Sequence, residues 1–538
     1  MTKLKIHCAQ INPTVGDITG NTNLVLTHYR KACALKADLC VLPEAVICGY
    51  TPGDLIYRPQ FLADIKKATL SIAKEVQETA LLLSVPWVED DRKTYNVIHF
   101  IHHGKIQQTI HKQCLPNFGV MDEKRVFTAG INDKTISLKG IKLGILVCHD
   151  TWWPEVAQAL KADGAQILIS ANASPYELDK ENFRITFCKE RVKETNLPLL
   201  YTNLVGAQDE ILFDGRTFTL NPQEEAENKY AAWQEQGELI VATENNGLFS
   251  FENTYNTQEL SLDENIYQGL KLGLRDYMKK SGFSKALLGL SGGIDSALTA
   301  AIAVDVLGCE NVTGILLPSK HTSDHSNNDA LALAKNLGIQ TFTLPIEETV
   351  KALESALEIT GALNSITLEN IQARARGTLL MGMSNNTGAL LLTTGNKSEV
   401  AVGFCTLYGD MNGGFNIIKD LYKTEVYRLS RYINREKEVI PTNSITKEPT
   451  PELSPGQKDS DNLPPYEILD AILYMAIEEN LSALEITQKG FEKTTVEGVL
   501  KLLKNSEYKR YQGAPGVKIH KVSFNSDRRY PLVNKYAF

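Results

Sequence analysis

The stretch ALLGLSGGIDSALT, at residues 286–299, decides the fold of the second half of the chain. Apolar residues suited to a buried strand run into Ser291-Gly292-Gly293, and a helical pattern follows. Glycines at a strand-to-helix turn let the backbone approach an anion, and the first helical turn offers free N–H groups. Asp295, just inside that helix, can hold a metal ion among phosphate oxygens. The stretch therefore predicts a nucleotide phosphate site, although a plain tight turn remains the alternative.

Four short apolar runs between helical patterns surround this stretch. They lie at residues 286–290, 312–317, 341–345 and 389–393, after a predicted helix at 264–280. Such spacing is typical of a doubly wound parallel sheet. The run at 441–465 is rich in Pro, Ser, Thr and Asp, and it predicts a surface loop or lid.

The first 220 residues also alternate strand and helix patterns. Strands are predicted at 4–11, 39–42, 81–85, 142–147, 166–170 and 199–203, with a hairpin over 96–111 that turns at His103-Gly104. Helices are predicted at 21–37, 154–162 and 181–196. Residues 221–264, with a short apolar run at 238–242, predict the last strands and a connector. We expect two α/β domains, at residues 1–262 and 263–538.

Composition limits the possible partners. Lys and Arg number 56 against 64 Asp and Glu, so the net charge of −8 argues against a nucleic-acid or anionic-membrane binder. Nine cysteines without a C-x-x-C pair predict free thiols in a reducing compartment. The first residues run straight into a strand pattern without a signal segment. We therefore expect a cytoplasmic protein that binds no nucleic acid and no membrane.

A second constellation involves a cysteine. In LVCHDTWWPE, at residues 146–155, Cys148 lies where a strand turns sharply into a helix, the geometry of a nucleophile elbow. Glu44 and Lys112 follow the ends of other strands. A carboxylate can accept the thiol proton, and an ammonium can stabilise the thiolate or an oxyanion. A buried structural cysteine is the alternative for Cys148 alone, but three such residues at strand ends favour a catalytic site.

The motifs LPEA (42–45), HKQCLP (111–116) and LVCHDTWWPE, in this order, resemble the nitrilase-type amidohydrolases over residues 1–260. The resemblance implies a layered α-β-β-α domain that hydrolyses C–N bonds. It further implies that Glu44 is the general base, Lys112 the stabilising cation, Cys148 the nucleophile and Glu123 a supporting acid. Glutamine-binding residues implied in the same way are Phe118, Ser174 and Lys180. At position 118 the family usually has Tyr.

The string SGGIDS resembles the PP-loop of ATP pyrophosphatases. With NIQARAR (370–376), LLTTGNKSE (391–399), YGDMNGGFNIIKDLYKT (408–424), EPTPEL (448–453) and YKRYQ (508–512), it resembles the ammonia-ligase NAD synthetases over 262–538. Those have an adenine nucleotide alpha hydrolase-like fold. Together the two halves resemble the glutamine-dependent NAD synthetases end to end.

This second resemblance implies a set of ligand contacts. The implied ATP contacts are Gly289, Leu290, Ser291, Gly292, Gly293, Ile294, Asp295, Ser296, Thr394, Lys423 and Thr450. Implied contacts to the deamido-NAD substrate are Asn370, Arg374, Glu399 and Lys509. Asp295 and Glu399 would hold Mg²⁺. At Leu407 the ammonia-using synthetases carry a Lys, so that contact is missing here.

The implied activity links both halves. Glutamine is hydrolysed to glutamate and ammonia, ATP adenylates the nicotinate carboxylate of deamido-NAD, and ammonia displaces AMP to give NAD. The resemblance also implies a homo-oligomer, at least a dimer through the synthetase domain. Three alternatives remain open on the sequence: another glutamine-fed PP-loop ligase, an adenine-nucleotide sensor with an inactive amidase, and an amidase with a regulatory second half.

Overall fold

The computed structural model describes residues 2–222, 226–255 and 257–536. The chain divides into two compact units, at residues 1–259 and 260–538. Each unit is an α/β assembly with its own sheets. None of the helices in the described ranges is long and apolar enough to cross a membrane.

The first unit contains two main sheets. The larger has the strand order β16-β15-β1-β2-β3-β4-β5, and the smaller has the order β14-β11-β10-β9-β8. The strands of this unit are β1 Lys3–Gln10, β2 Leu39–Val41, β3 Ala80–Val88, β4 Thr94–His102, β5 Lys105–His111, β6 Asn117–Phe118, β7 Met121–Asp122, β8 Ile136–Leu138, β9 Ile141–Val147, β10 Ile167–Asn172, β11 Leu199–Asn203, β12 Val205–Gln208, β13 Ile211–Asp214, β14 Phe218–Leu220, β15 Gln236–Asn245 and β16 Leu248–Phe251.

The described part of this unit has five α-helices, four of which cover the outer faces of the two sheets. They are α1 Ile18–Ala34, α2 Pro59–Glu75, α3 Glu123–Val126, α4 Pro154–Ala162 and α5 Lys180–Thr195. Alternate residues of β1 such as Leu4 and Ile6 pack against β9 residues such as Ile145, so the inner faces of the two sheets share one core. Helices α1 and α2 pack on the larger sheet, and α4 and α5 pack on the smaller. These four layers confirm the predicted α-β-β-α domain.

The second unit is built on a fully parallel sheet with the order β19-β18-β17-β20-β21. Its strands are β17 Ala286–Gly289, β18 Val312–Leu316, β19 Gln340–Thr343, β20 Leu390–Thr393 and β21 Phe415–Asn416. Its helices are α6 Leu262–Ser281, α7 Ile294–Leu307, α8 Asp324–Leu337, α9 Glu347–Leu357, α10 Ser365–Thr387, α11 Lys397–Val402, α12 Lys423–Ile433, α13 Thr442–Thr446, α14 Tyr466–Ile477, α15 Ala483–Gln488, α16 Lys493–Asn505 and α17 Glu507–Arg510. The predicted doubly wound sheet is confirmed.

The strand order of this sheet reverses between β17 and β20. Ligands of open α/β sheets bind outside the carboxyl ends of the strands at such a switch point. Gly289 ends β17 and Thr393 ends β20. The glycine-rich stretch quoted above therefore begins at the place where this fold binds its ligands.

Candidate functional site

The predicted nucleophile lies at a sharp bend of the first unit. Cys148 follows β9 directly and begins a 3₁₀ turn that ends at Trp152, ahead of α4. Its φ of 48° lies in the left-handed region, where a residue with a side chain is strained. The thiol is thus held at the tip of a strand-to-helix turn, as the elbow prediction requires, and the side chain is buried.

A buried lysine joins two acids beside this turn. Lys112 Nζ lies 2.7 Å from Glu44 Oε1 and 2.9 Å from Glu123 Oε1. Asn96 Nδ2 donates to Glu44 Oε1 at 2.7 Å. The charges of Glu44, Lys112 and Glu123 all act on the Cys148 thiol. One buried site therefore joins the residues that follow β2, β5 and β9 with the first residue of α3.

Burial sets the protonation of this site. Burial raises the pKa of Glu123 to about 7, against the attraction of Lys112 and with support from the charge of Glu44. Burial also raises the pKa of the Cys148 thiol, and Glu44 adds to that effect. For Lys112 burial alone would lower the pKa, but Glu123 and Glu44 together raise it well above its usual value. The resting site therefore holds a neutral thiol and a charged lysine.

Two polar residues at this site were not found from the sequence. Asn96 holds Glu44, as described, and Asp150 joins the segments that contain Lys112 and Cys148. The Asp150 carboxylate accepts backbone N–H bonds from Gln113 at 3.1 Å, Cys114 at 2.7 Å and Val147 at 3.3 Å. It thus binds the residues that follow Lys112 to the residue that precedes Cys148. The sequence signal for Asp150 is its position in the string Cys148-His149-Asp150.

The predicted glutamine contacts border the same site. The centre of the Phe118 ring lies 5.5 Å from the centre of the imidazole of His149, the residue after Cys148. Lys180 Nζ lies 5.2 Å from the centre of the Trp152 ring and 2.7 Å from Glu177. Ser174 is buried after β10, and its hydroxyl oxygen accepts a hydrogen bond from Arg184 at 3.0 Å.

The second unit holds a cavity of about 330 Å³ at the carboxyl ends of β17 and β20. Ser291 and Gly293 line it, and Gly293 caps the N-terminus of α7. Gly292 has a φ of 77°, and a Cβ there would lie 2.2 Å from the carbonyl oxygen of Ser326. Only glycine fits this turn, which directs the backbone of the loop toward the cavity.

Most of the predicted ATP contacts line this cavity. They are Gly289, Leu290, Ser291, Gly293, Ile294, Asp295, Ser296, Thr394, Lys423 and Thr450, and Glu399 lines it as well. Gly292 lies behind the loop, where its carbonyl oxygen accepts from Ser444 Oγ at 3.0 Å.

Three predicted dinucleotide contacts lie outside the lining of the cavity. Asn370 Oδ1 accepts from Thr406 Oγ1 at 2.8 Å, and Arg374 Nε donates to the carbonyl oxygen of Leu407 at 3.2 Å. Lys509 Nζ donates to the carbonyl oxygen of Cys405 at 2.6 Å. All three side chains are bound to the segment 403–407. Phe404 and Cys405 of that segment belong to the cavity wall.

A lysine also joins two acids in the cavity. Lys423 Nζ lies 2.5 Å from Asp295 Oδ2 and 3.2 Å from Glu399 Oε1. Burial raises the pKa of Glu399 to about 8, against the attraction of Lys423 and with support from the charge of Asp295. Burial alone would lower the pKa of Lys423, but Asp295 and Glu399 raise it above its usual value.

Comparison with known proteins assigns both units. The carbon-nitrogen hydrolase family profile matches residues 5–244, and the NAD synthase profile matches residues 266–513. The chain is 40% identical to a glutamine-dependent NAD(+) synthetase of Synechocystis sp. and 42% identical to one of Rhodobacter capsulatus, over 99% of both chains in each case. The glutamine-dependent NAD+ synthetase of Acinetobacter baumannii, solved in complex with ADP, matches with a TM-score of 0.80 and 38% identity, over 99% of both chains.

The chain belongs to the glutamine-dependent NAD synthetase family. It is a ligase of NAD biosynthesis with a nitrilase-like amidohydrolase unit and an NAD synthase unit. The family uses ATP as a substrate.

The residues of the synthetase cavity fit a magnesium ion. Among the described residues no cluster of three or more His, Cys, Asp and Glu could hold a metal by itself. Mg²⁺ is usually bound by one or two carboxylates together with substrate phosphates and waters. Asp295 and Glu399 supply two carboxylates, each in contact with Lys423, beside the glycine-rich loop. The donor set is that of a metal bound together with a nucleotide.

The segment 441–465 is mostly loop, as predicted, and part of it lines the cavity. It contains α13, and side-chain bonds hold it over the cavity. Glu452 Oε1 accepts from Ser323 Oγ at 2.8 Å, and the carbonyl oxygen of Leu453 accepts from Gln372 Nε2 at 2.9 Å. Thr450 and Glu452 line the cavity. Because these partners lie far away in the sequence, the composition of the segment predicts the loop but not the bonds that hold it.

Proposed function

We propose that residues 1–262 hydrolyse glutamine through Cys148 and that residues 263–538 use the ammonia to convert deamido-NAD into NAD. The contacts of Lys112 with Glu44 and Glu123 beside the strained turn at Cys148 carry the first half of this proposal. A buried thiol next to a carboxylate and an ammonium is the arrangement of an activated nucleophile.

In the first step, Glu44 accepts the thiol proton and the Cys148 sulfur forms a bond to the amide carbon of glutamine. The carbonyl oxygen takes the electron pair, and Lys112 and backbone N–H groups of the turn stabilise its charge. The C–N bond then breaks, the nitrogen takes the proton from Glu44, and NH₃ leaves. Water attacks the thioester, which releases glutamate and restores the thiol.

Glu123 supports this chemistry through Lys112. The Glu123 and Glu44 carboxylates both contact the Lys112 ammonium, so the negative charge on each contacting oxygen is partly neutralised. Phe118, Ser174 and Lys180 border the site, and we assign them to glutamine. Lys180 is the cation suited to the α-carboxylate of that substrate.

In the second unit, ATP binds in the cavity with its phosphates against the glycine-rich loop. The complex of the Acinetobacter baumannii relative with ADP supports an adenine nucleotide here. Asp295 and Glu399 would hold Mg²⁺, which offsets negative charge on the departing pyrophosphate when it is bound. Lys423 adds a fixed positive charge between these carboxylates. The nicotinate carboxylate of deamido-NAD attacks the α-phosphorus, and NH₃ then displaces AMP from the adenylate to give NAD.

The remaining residues serve the substrates directly or through the cavity wall. Thr394 and Thr450 line the cavity and contact ATP in this proposal. Asn370, Arg374 and Lys509 act on the dinucleotide through the segment 403–407, to which all three side chains are bound. Gly292 keeps the loop in the conformation that ATP needs.

We also assign a cytoplasmic location and a homo-oligomer, at least a dimer through the synthetase unit. All nine cysteines are free, which suits a reducing compartment. Exposed apolar side chains on and after α9, namely Leu353, Leu357, Ile359 and Ile366, support contact with a second copy. Light scattering on the purified protein tests this assembly, and the molar mass of a monomer would contradict the proposed oligomer.

Incubation with ATP, Mg²⁺, deamido-NAD and glutamine labelled with ¹⁵N in the amide tests the whole assignment. Mass analysis should find NAD that carries the label, together with AMP, pyrophosphate and glutamate. Glutamate without NAD would favour an amidase with a regulatory second half. Nucleotide binding without turnover would favour a sensor.

A further inference from the structure

Asn396 links the two acids of the synthetase cavity, through the side chain of Asp295 and the backbone of Glu399. It precedes α11 and is fully buried. Its Oδ1 accepts the backbone N–H of Glu399 at 3.0 Å, which makes it the N-cap of that helix. Its Nδ2 donates to Asp295 Oδ1 at 2.9 Å. One amide therefore contacts the Asp295 carboxylate and the backbone of Glu399.

The amide can serve both partners in one orientation only. A carboxylate oxygen only accepts hydrogen bonds, whereas a backbone N–H only donates, so Oδ1 must face Glu399 and Nδ2 must face Asp295. The other oxygen of Asp295 contacts Lys423 Nζ at 2.5 Å. The Asp295 carboxylate is thereby held at both oxygens, once by a charged donor and once by a neutral one.

We propose that Asn396 is a positioning residue that fixes Asp295 relative to Glu399, so that the two carboxylates present oxygens to one metal–nucleotide complex. The inference rests on the proposed metal role of these two acids. The neutral amide orients Asp295 without adding charge, so the carboxylate keeps its affinity for a cation. Groups that orient metal ligands commonly change metal affinity by about 10- to 100-fold when they are removed.

A serine at this position would separate the two contacts. Serine is a good N-cap, so Asn396→Ser retains an acceptor for the Glu399 N–H. Its shorter side chain cannot also reach Asp295. Any change in metal binding then reports the lost donation to Asp295 rather than a lost helix cap.

Asn364 provides a matched control in the same unit. It is the N-cap of α10, and its Oδ1 accepts the backbone N–H of Thr367 at 2.8 Å. It lies outside the cavity lining and is exposed. Asn364→Ser therefore repeats the cap exchange without touching Asp295.

The test measures Mn²⁺ binding by electron paramagnetic resonance in the presence of ATP, on the full chain, with Mn²⁺ as the probe for Mg²⁺. We expect Asn396→Ser to weaken Mn²⁺ binding by about 10-fold or more and Asn364→Ser to leave it unchanged. Asn396→Thr also retains a cap and fills more of the space left by asparagine. It should weaken Mn²⁺ binding as Asn396→Ser does, and it replaces the serine variant if that variant does not fold.

Three outcomes separate this inference from the proposal on which it rests. If Asn396→Ser or Asn396→Thr melts at a lower temperature but binds Mn²⁺ as tightly as the parent, Asn396 is only a helix cap and the inference is wrong. If Asp295→Asn also leaves Mn²⁺ binding unchanged, the proposed metal site itself is wrong. Weak binding in Asp295→Asn with normal binding in both Asn396 variants overturns the inference alone.

Discussion

Each unit of the chain has a buried lysine between two carboxylates, but the two arrangements differ in what surrounds them. In the amidohydrolase unit, Lys112 contacts Glu44 and Glu123 at 2.7 and 2.9 Å. In the synthetase unit, Lys423 contacts Asp295 and Glu399 at 2.5 and 3.2 Å. In both, burial raises the pKa of one acid, to about 7 in the first case and about 8 in the second.

The surroundings decide what each arrangement can do. The first is closed within the core beside a thiol, so its acids can exchange protons with one bound group. The second lines a cavity of about 330 Å³ beside a glycine-rich loop. Because the pKa of Glu399 is raised to about 8, a cation bound with a nucleotide would take the place of the proton on that acid. The same combination of one lysine and two acids thus suits proton transfer in one unit and phosphate chemistry in the other.

Cys148→Ala should give the largest effect and confine it to one unit. Glutamine-dependent NAD synthesis should fall by roughly 10⁴-fold or more, because no other group supplies the nucleophile. Synthesis from added ammonium salt should be largely unchanged. Both rates are measured on the same preparation by NAD formation.

Cys188→Ala is the control, since Cys188 is also a buried free thiol of the first unit. It should retain both activities. Loss of both activities in a folded Cys148→Ala protein would contradict the separation of the two chemistries.

Asp295→Ala should affect synthesis from either nitrogen source. Each source needs the adenylate, and removal of one preorganised charge contact commonly lowers a rate by about 10²–10³-fold. NAD formation with glutamine and with ammonium gives the two rates. Asp305→Ala, on the same helix, is the control because Asp305 contacts Tyr267 and Lys271 instead. Normal turnover in Asp295→Ala would show that Asp295 takes no part in the reaction.

The sequence predicts these sites in part, for a physical reason. Glu44, Lys112 and Cys148 each follow a strand of one layered domain, and strand ends on the same side of such a domain converge. Local spacing therefore brought them together. The contact of Asn96 with Glu44 depends on how β3 pairs with β4, and that register is not visible in a motif.

The same limit applies in the second unit. The glycine-rich stretch locates the cavity, because it is a local pattern, and the strand spacing predicts the type of sheet that carries it. The spacing of Asn370 and Arg374 puts them on one face of α10. The spacing does not predict which wall of the cavity that face meets. In the structure, both side chains bind the segment 403–407. The bond from Asn396 to Asp295 joins residues from separate motifs.

The pH dependence of stability should distinguish the two acid pairs. A carboxyl with a raised pKa stays protonated in the folded protein while it ionises in the unfolded chain, so the free energy of unfolding falls as pH rises across that interval. For Glu399 the interval runs from 4.5 to about 8, and for Glu123 from 4.5 to about 7. Glutamine cannot ionise, so each Glu→Gln variant should lose this dependence.

Melting temperatures without ligands measure this effect. The advantage of Glu399→Gln over the parent should grow up to about pH 8, and that of Glu123→Gln should level off near pH 7. Glu252→Gln is the control, because the contact with Lys3 lowers the pKa of Glu252. A constant difference across the whole range would contradict the raised pKa values.

Phe118→Tyr should give the smallest effect. It introduces the residue that the resemblance to nitrilase-type amidohydrolases implies for this position. The Phe118 ring is 48% exposed and contacts the ring of His149 at 5.5 Å. A hydroxyl that water already reaches gains little from a new hydrogen bond, so the KM for glutamine should change by less than about 3-fold. Phe118→Leu, which removes the ring, should raise the KM more. A fall of about 10-fold in Phe118→Tyr would instead show that the hydroxyl binds glutamine directly and that this chain works without that contact.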